Sequence, residues 1–98
     1  MVNKEALATV VQVALERAGG HKRWTNAIKR GVEIIESNRC LQLSDDTLLI
    51  LSASGKNYAA TETECRTEDE LCPAFANGQP CKHRAAYLLM QLYNEISH

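Results

Sequence analysis

The side chains of this chain that could do chemistry are concentrated in its second half. Three cysteines and one histidine fall within 19 residues, in the spacing C-x6-C-x8-C-x-H: Cys65, Cys72, Cys81 and His83. Three thiolates and one imidazole are a common tetrahedral ligand set for structural zinc in proteins. The spacing therefore predicts one structural Zn²⁺. The sequence has no His-Glu-x-x-His pattern of the kind that indicates catalytic zinc.

Cys81 and His83 can share a metal ion only under one local geometry. Residues i and i+2 point about 200° apart in a regular helix, so Cys81 has to stand before the first helical turn. Pro80 favours such an entry to a helix, and a helix N-terminus favours a thiolate at Cys81. The flanking cations Lys82 and Arg84 would offset the negative charge of three thiolates on one Zn²⁺.

Two alternative roles for the thiols stay open at this stage. Cys40 could replace Cys65 as a ligand, although a lone cysteine is more often a small buried hydrophobic residue. A nucleophilic Cys81–His83 pair is conceivable, but a metal site with four protein ligands would consume both residues. We therefore expect no enzymatic activity.

Disulfides would be the usual explanation for four cysteines in a short secreted protein. The apolar run near the start of the chain does not fit a signal peptide, because Glu5 lies in the charged region and Gln12 interrupts the run. No apolar run is long enough to predict a transmembrane helix, so we expect no membrane partner. The expected location is cytoplasmic, an intracellular and reducing compartment.

The rest of the sequence predicts the elements that position the cluster. The 98 residues, with a formal net charge of −1, suit one small domain with an appendage. Hydrophobic periodicity and turn residues predict helices over 4–18, 22–37 and 82–97, strands over 47–53 and 57–63, and a loop over 66–80. The predicted fold class is α+β: a zinc-stapled ββα module (a β-hairpin and a C-terminal helix) over 39–98, preceded by a pair of helices over 1–38.

The region from about residue 44 to 95 resembles a SWIM zinc finger. The resemblance rests on strand–turn–strand, then Cys72-Pro73-Ala74-Phe75, then Gly78-Gln79-Pro80-Cys81-Lys82-His83 and an apolar helix. SWIM domains have two cysteines separated by one residue, a variable spacer and Cys-x-His, whereas six residues separate Cys65 from Cys72 here. The resemblance implies a ββα zinc module that binds nucleic acid or protein and has no enzymatic activity of its own.

Two classes of partner compete. The second predicted helix carries basic residues opposite its apolar side, and Lys82 and Arg84 could extend this patch towards the zinc site, a charge pattern that suits phosphate contacts. The candidate nucleic-acid-binding residues are Lys22, Arg23, Lys29, Arg30, Lys82 and Arg84. Acidic residues instead surround Cys65 and the following loop, which favours a protein–protein adaptor with a basic partner. They are Glu62, Glu64, Glu68, Asp69 and Glu70.

Two further possibilities concern the zinc thiolates and the first helix. Oxidation of the thiolates could eject zinc, which would make the protein a redox switch. The apolar side of the first helix could serve as the interface of a homo-oligomer as easily as an internal core. Its residues are Leu7, Val10, Val11 and Leu15.

Overall fold

The computed structural model describes residues 3–52 and 55–96 and has the predicted α+β fold, with four helices and one antiparallel sheet of four strands in those residues. No helix in this described part combines the length and the apolar character that crossing a bilayer requires. In chain order, the elements are α1 (Lys4–Ala18), α2 (Lys22–Glu36), β1 (Cys40–Ser44), β2 (Thr47–Leu51), β3 (Asn57–Ala60), β4 (Cys65–Arg66), α3 (Pro73–Ala76) and α4 (Lys82–Ile96).

The three long helices begin and end close to the predicted residues because their caps are encoded locally. The Asn3 side chain accepts hydrogen bonds from the first backbone N–H groups of α1, and Gly19 ends that helix with φ at +61°. The His21 ring accepts a hydrogen bond from the Trp24 N–H at the start of α2. At the other end of the chain, the Tyr93 hydroxyl on α4 accepts a hydrogen bond of 2.9 Å from the Asn3 N–H.

The predicted hairpin is present as β2 and β3, and the structure adds one strand on each side of it. The strand order of the sheet is β1-β2-β3-β4 with antiparallel pairs throughout, and neither edge strand was predicted. The predicted return strand over 57–63 ends at Ala60, because the Thr61 N–H donates to the Glu64 carbonyl and turns the chain into β4. The predicted loop over 66–80 contains the one-turn helix α3. Residues 53 and 97, at the ends of predicted elements, lie outside the described residues.

One apolar core joins the two halves of the chain. Leu7 and Val10 of α1 are buried in it together with residues of α2, the inner face of the sheet and α4. The helices α2 and α4 pack closely at Gly31, where an added Cβ would lie 2.9 Å from the Ala86 nitrogen. The core thus runs across residue 38, the predicted boundary between two units. The division itself stays a prediction.

Candidate metal centre

Three pieces of local structure bring the four residues of the Cys/His cluster together. Cys65 begins β4, Cys72 precedes α3, Cys81 precedes α4, and His83 lies in the first turn of α4. The Cys72 N–H donates to the Cys65 carbonyl at 2.9 Å, which joins the first two positions. The Ala85 N–H donates to the Cys81 carbonyl at 2.9 Å, which is the first bond of α4. Cys81 therefore stands before the first turn, in the geometry that the spacing requires.

The four ligand atoms lie close enough together to surround one ion. His83 Nδ1 lies 3.5 Å from the Cys65 sulfur, 3.8 Å from the Cys72 sulfur and 3.4 Å from the Cys81 sulfur. The sulfurs of Cys72 and Cys81 are 3.6 Å apart, and all four atoms lie within 4.8 Å of one another. Zinc bond lengths give tetrahedral edges of about 3.8 Å between sulfurs and about 3.6 Å between sulfur and nitrogen, close to these four distances. The cluster could therefore hold one metal ion.

The cluster is closed to solvent and contains no disulfide. The most exposed of the four residues, His83, is only 6% exposed. All four cysteines of the chain are free, and the 3.6 Å between the Cys72 and Cys81 sulfurs is far from the ~2.0 Å of a disulfide. Cys40 is half-buried and packs against the main apolar core, so the structure brings Cys65 and not Cys40 to the cluster.

Neighbouring groups shift the pKa values of two cluster thiols in opposite directions. The interaction with Cys65, together with His83 and the Arg84 N–H, lowers the pKa of Cys81 against the effect of burial. The same interaction with Cys81, with burial and the neighbouring sulfurs, raises the pKa of Cys65. The lowered pKa favours the thiolate at Cys81, and the thiolate is the form that binds metals.

Tyr58 fixes the orientation of the histidine ligand. Its ring stacks on the His83 imidazole, with the ring centroids 4.1 Å apart and the planes 16° from parallel. In this orientation Nδ1 is the ring nitrogen that points at the sulfurs. This role of Tyr58 was not predicted from the sequence. An aromatic residue in the strand before the first ligand was the available signal, but the two rings meet only because α4 packs against β3.

Part of the predicted basic patch lies directly beside the cluster. Arg23 and Arg30 of α2 and Lys82 of α4 line one cavity of about 400 Å³, together with three residues of the metal cluster: Cys72, Cys81 and His83. All three cations are exposed. We call this cavity the basic groove. Asn26 of α2, Gln79 and Pro80 are among its other lining residues.

The other three predicted cations lie outside the basic groove. Lys22 and Lys29 are exposed on α2 but do not line the cavity. The Arg84 guanidinium donates a hydrogen bond to the Glu62 carbonyl and lies 5.5 Å from the centroid of the Phe75 ring. Arg84 thus contributes to the packing around the cluster rather than to the groove.

Three of the five predicted acidic residues form a separate turn after β4, whereas Glu62 and Glu64 precede that strand. The Thr67 hydroxyl accepts hydrogen bonds from the N–H groups of Asp69 and Glu70, and all three acids of this turn, including Glu68, are exposed. Glu70 makes an ion pair with Lys56 at 3.4 Å. None of the five predicted acidic residues lines the basic groove.

Comparisons with known proteins found no relative of this chain. No family model, no curated protein and no solved structure matches this chain. The resemblance to SWIM zinc fingers therefore rests on the cysteines, the histidine and their neighbouring residues, and membership of that family stays a prediction.

Proposed function

We propose that this chain is a non-catalytic zinc-binding module of the SWIM type that binds nucleic acid through its basic groove. The observation that carries the proposal is the position of Arg23, Arg30 and Lys82, which line one cavity with three residues of the metal cluster. The cations come from two different helices, so the fold and not the local sequence assembles them.

The donor set supports zinc as the ion and structure as its role. Thiolate and imidazole ligands select zinc among the common metals, and four protein ligands complete its tetrahedron. A complete tetrahedron has no open position for a substrate or an activated water, which supports a non-catalytic site. Zinc binding supplies about 10–16 kcal/mol in small zinc-finger peptides near neutral pH, a large contribution for a domain of this size.

The groove has the chemistry of a phosphate site. Two arginines can each form paired hydrogen bonds with a phosphate group, and the lysine adds a third charge. The wall of the groove that carries Lys82 follows Cys81 directly, so the metal would hold this wall in place against α2. Contacts of this kind give an affinity that falls steeply as salt concentration rises.

A binding titration with charge reversal tests this function. Fluorescence anisotropy with labelled single-stranded and duplex DNA and RNA would measure the dissociation constant at several salt concentrations. We expect the double variant Arg23→Glu/Arg30→Glu to weaken binding by about tenfold or more, since each phosphate contact adds to the salt-dependent affinity. The matched control is Glu68→Lys/Asp69→Lys on the acidic turn. The proposal fails if no nucleic acid binds at low salt, or if the groove variant binds as well as wild type.

A protein–protein adaptor is the second candidate. The observation that favours it is the exposed acidic turn, whose backbone the Thr67 hydroxyl holds in one conformation. A basic protein partner captured by wild type and lost by the acidic-turn variant, with the groove variant unaffected, would support this alternative. The redox switch gains no support from the geometry, because oxidation favours exposed thiolates and the three cluster cysteines are buried.

A further inference from the structure

The two edges of the sheet differ in what covers them. At one edge, β4 is bridged by the following turn of its own chain through the Arg66–Leu71 pair. At the other edge, no strand in the described part of the chain pairs with the outer side of β1. Natural sheets usually protect such an edge with lysine, proline, a β-bulge or a covering element. Residues 40–44 of β1 contain neither lysine nor proline, nor any charged side chain, and the register of β1 shifts only near its end, between Gln42 and Ser44.

The outer side of β1 offers free backbone groups and apolar side chains. The Arg39 carbonyl accepts a bond of 2.7 Å from the Leu51 N–H, so residue 39 faces β2. Because alternate residues of a strand turn to opposite sides, the backbone groups of Cys40 and Gln42 face away from β2. Leu41 is 57% exposed and Leu43 is 55% exposed.

The charges at the two ends of β1 make the edge complementary to itself. Arg39 precedes the strand, and Asp45 and Asp46 follow it. An antiparallel neighbour of the same sequence would bring the basic end of each strand to the acidic end of the other. A parallel neighbour would instead bring like charges together at both ends.

We propose that β1 pairs with β1 of a second copy of this chain, antiparallel about a two-fold axis beside Leu41. In this register Cys40 of each copy exchanges backbone hydrogen bonds with Gln42 of the other, which uses the outward-facing groups of both residues. Leu41 lies directly opposite its own counterpart, and the two sheets join into one. The contact is isologous, so it closes as a dimer and does not propagate into fibres. It stands independently of the proposed nucleic-acid binding.

Site-specific cross-linking tests the register. Leu41→Cys and Leu43→Cys would be made in a Cys40→Ser background and oxidised mildly as zinc-loaded protein. The Leu41→Cys variant should form a covalent dimer at least about tenfold faster than Leu43→Cys, because only residue 41 faces itself at a separation that a disulfide can span. The two positions are on the same strand and almost equally exposed, so they are matched controls. Equal rates for the two variants, or no covalent dimer from Leu41→Cys, would overturn the proposal.

Mass measurements separate edge pairing from other ways of associating. Sedimentation of the zinc-loaded wild type should show a reversible dimer of the 10.9 kDa chain. Leu41→Lys should weaken dimerisation by about tenfold or more, since it puts like charges face to face. Leu51→Lys changes an exposed leucine on the neighbouring strand β2 and should have little effect. A wild type that stays monomeric up to about 1 mM, a concentration at which even very weak complexes form, would contradict the proposal. An equal loss of dimer affinity with Leu51→Lys and Leu41→Lys would also contradict it, because that result indicates association through the face of the sheet.

Charge exchange gives the third readout. Arg39→Glu alone and Asp45→Lys alone should each weaken the homodimer severalfold, because each places like charges at both ends of the pair. A mixture of the two variants should form a heterodimer at near wild-type affinity, since every end contact is then between opposite charges. Failure of the mixture to associate better than either variant alone would contradict the antiparallel arrangement.

Discussion

The apolar core and the Cys/His cluster are two neighbouring regions of one small molecule that depend on different chemistry. The core joins α1, α2, α4 and the inner face of the sheet through buried aliphatic side chains. The cluster is surrounded by little apolar surface beyond Tyr58, Ala74 and Phe75. The comparison shows how so small a chain can stabilise a second region. Metal–ligand bonds can hold that region together where there are too few apolar side chains to form a core.

Loss of the metal should have the largest effect and should separate the two regions. We expect chelation to melt residues 65–85 while α1 and α2 keep their helical structure, because only the cluster depends on the ion. Hydrogen exchange followed by NMR would locate the loss of protection.

Two serine variants control the chelation experiment. Cys81→Ser should reproduce the effect, whereas Cys40→Ser should keep one zinc per chain, since Cys40 lies in the other region. Unchanged protection of residues 65–85 after complete chelation would mean that the cluster holds itself together without a metal.

Acid should release zinc before it unfolds the helices. Protons compete with zinc for the thiolates and the imidazole, so zinc affinity decreases as the pH falls. The lowered pKa of Cys81 opposes this loss, whereas the raised pKa of Cys65 makes that thiol take up a proton more readily. A zinc indicator dye and far-ultraviolet circular dichroism, followed together during acidification, would order the two events. A single common transition would show that the two regions unfold as one.

Gly31→Ala should damage the core without touching the metal ligands. Alanine normally stabilises a helix relative to glycine, but here the new Cβ would lie 2.9 Å from the Ala86 backbone nitrogen. We expect the free energy of unfolding to fall by about 1–3 kcal/mol, the usual range for overpacking. Denaturant titration measures this change, and zinc stoichiometry should stay at one per chain. A more stable variant would show that α2 and α4 can move apart at no cost.

Tyr58→Ala should weaken the cluster more mildly. Loss of the stacked ring removes about 0.5–1.5 kcal/mol of support for the His83 imidazole, which corresponds to a roughly twofold to tenfold lower zinc affinity. Tyr58→Phe keeps the ring and serves as the control. Competition with a chelator of known affinity measures both variants. Equal losses in the two would assign the effect to the hydroxyl and not to stacking.

The smallest expected effect is that of removing an ion pair on the surface. Lys56 and Glu70 form an ion pair at 3.4 Å, and both side chains are largely exposed. Lys56→Ala should change the free energy of unfolding by less than about 1 kcal/mol, as is typical of exposed pairs. Thermal unfolding at low and high salt would measure it. A larger loss would mean that the acidic turn is coupled to the cluster.

Much of this architecture is predictable from the sequence because its signals are local. The caps at Asn3 and Gly19 and the helical periodicity set the three long helices, and the unusual density of cysteine and histidine marks the cluster. The position of Cys81 before its helix also follows from spacing alone.

The parts of the structure that cannot be predicted from the sequence depend on contacts between distant segments. The strand β4 has two residues and α3 has four, too few for a periodic signal. In β1 the exposed residues are leucines, so its pattern does not show an inward and an outward side. The grouping of Arg23 and Arg30 with Lys82, and the departure of Arg84 from that group, require the packing of α2 against α4.

The hydrogen bond from the Asn3 N–H to the Tyr93 hydroxyl has a consequence for how this unit can be built into larger proteins. It joins a backbone group before α1 to a side chain near the end of α4, so the described segment begins and ends in the same region of the fold. A host protein could receive the whole unit in a single surface loop with short connecting segments. A circular permutant that links residue 3 to residue 96 through a short flexible linker and opens the chain elsewhere should also fold.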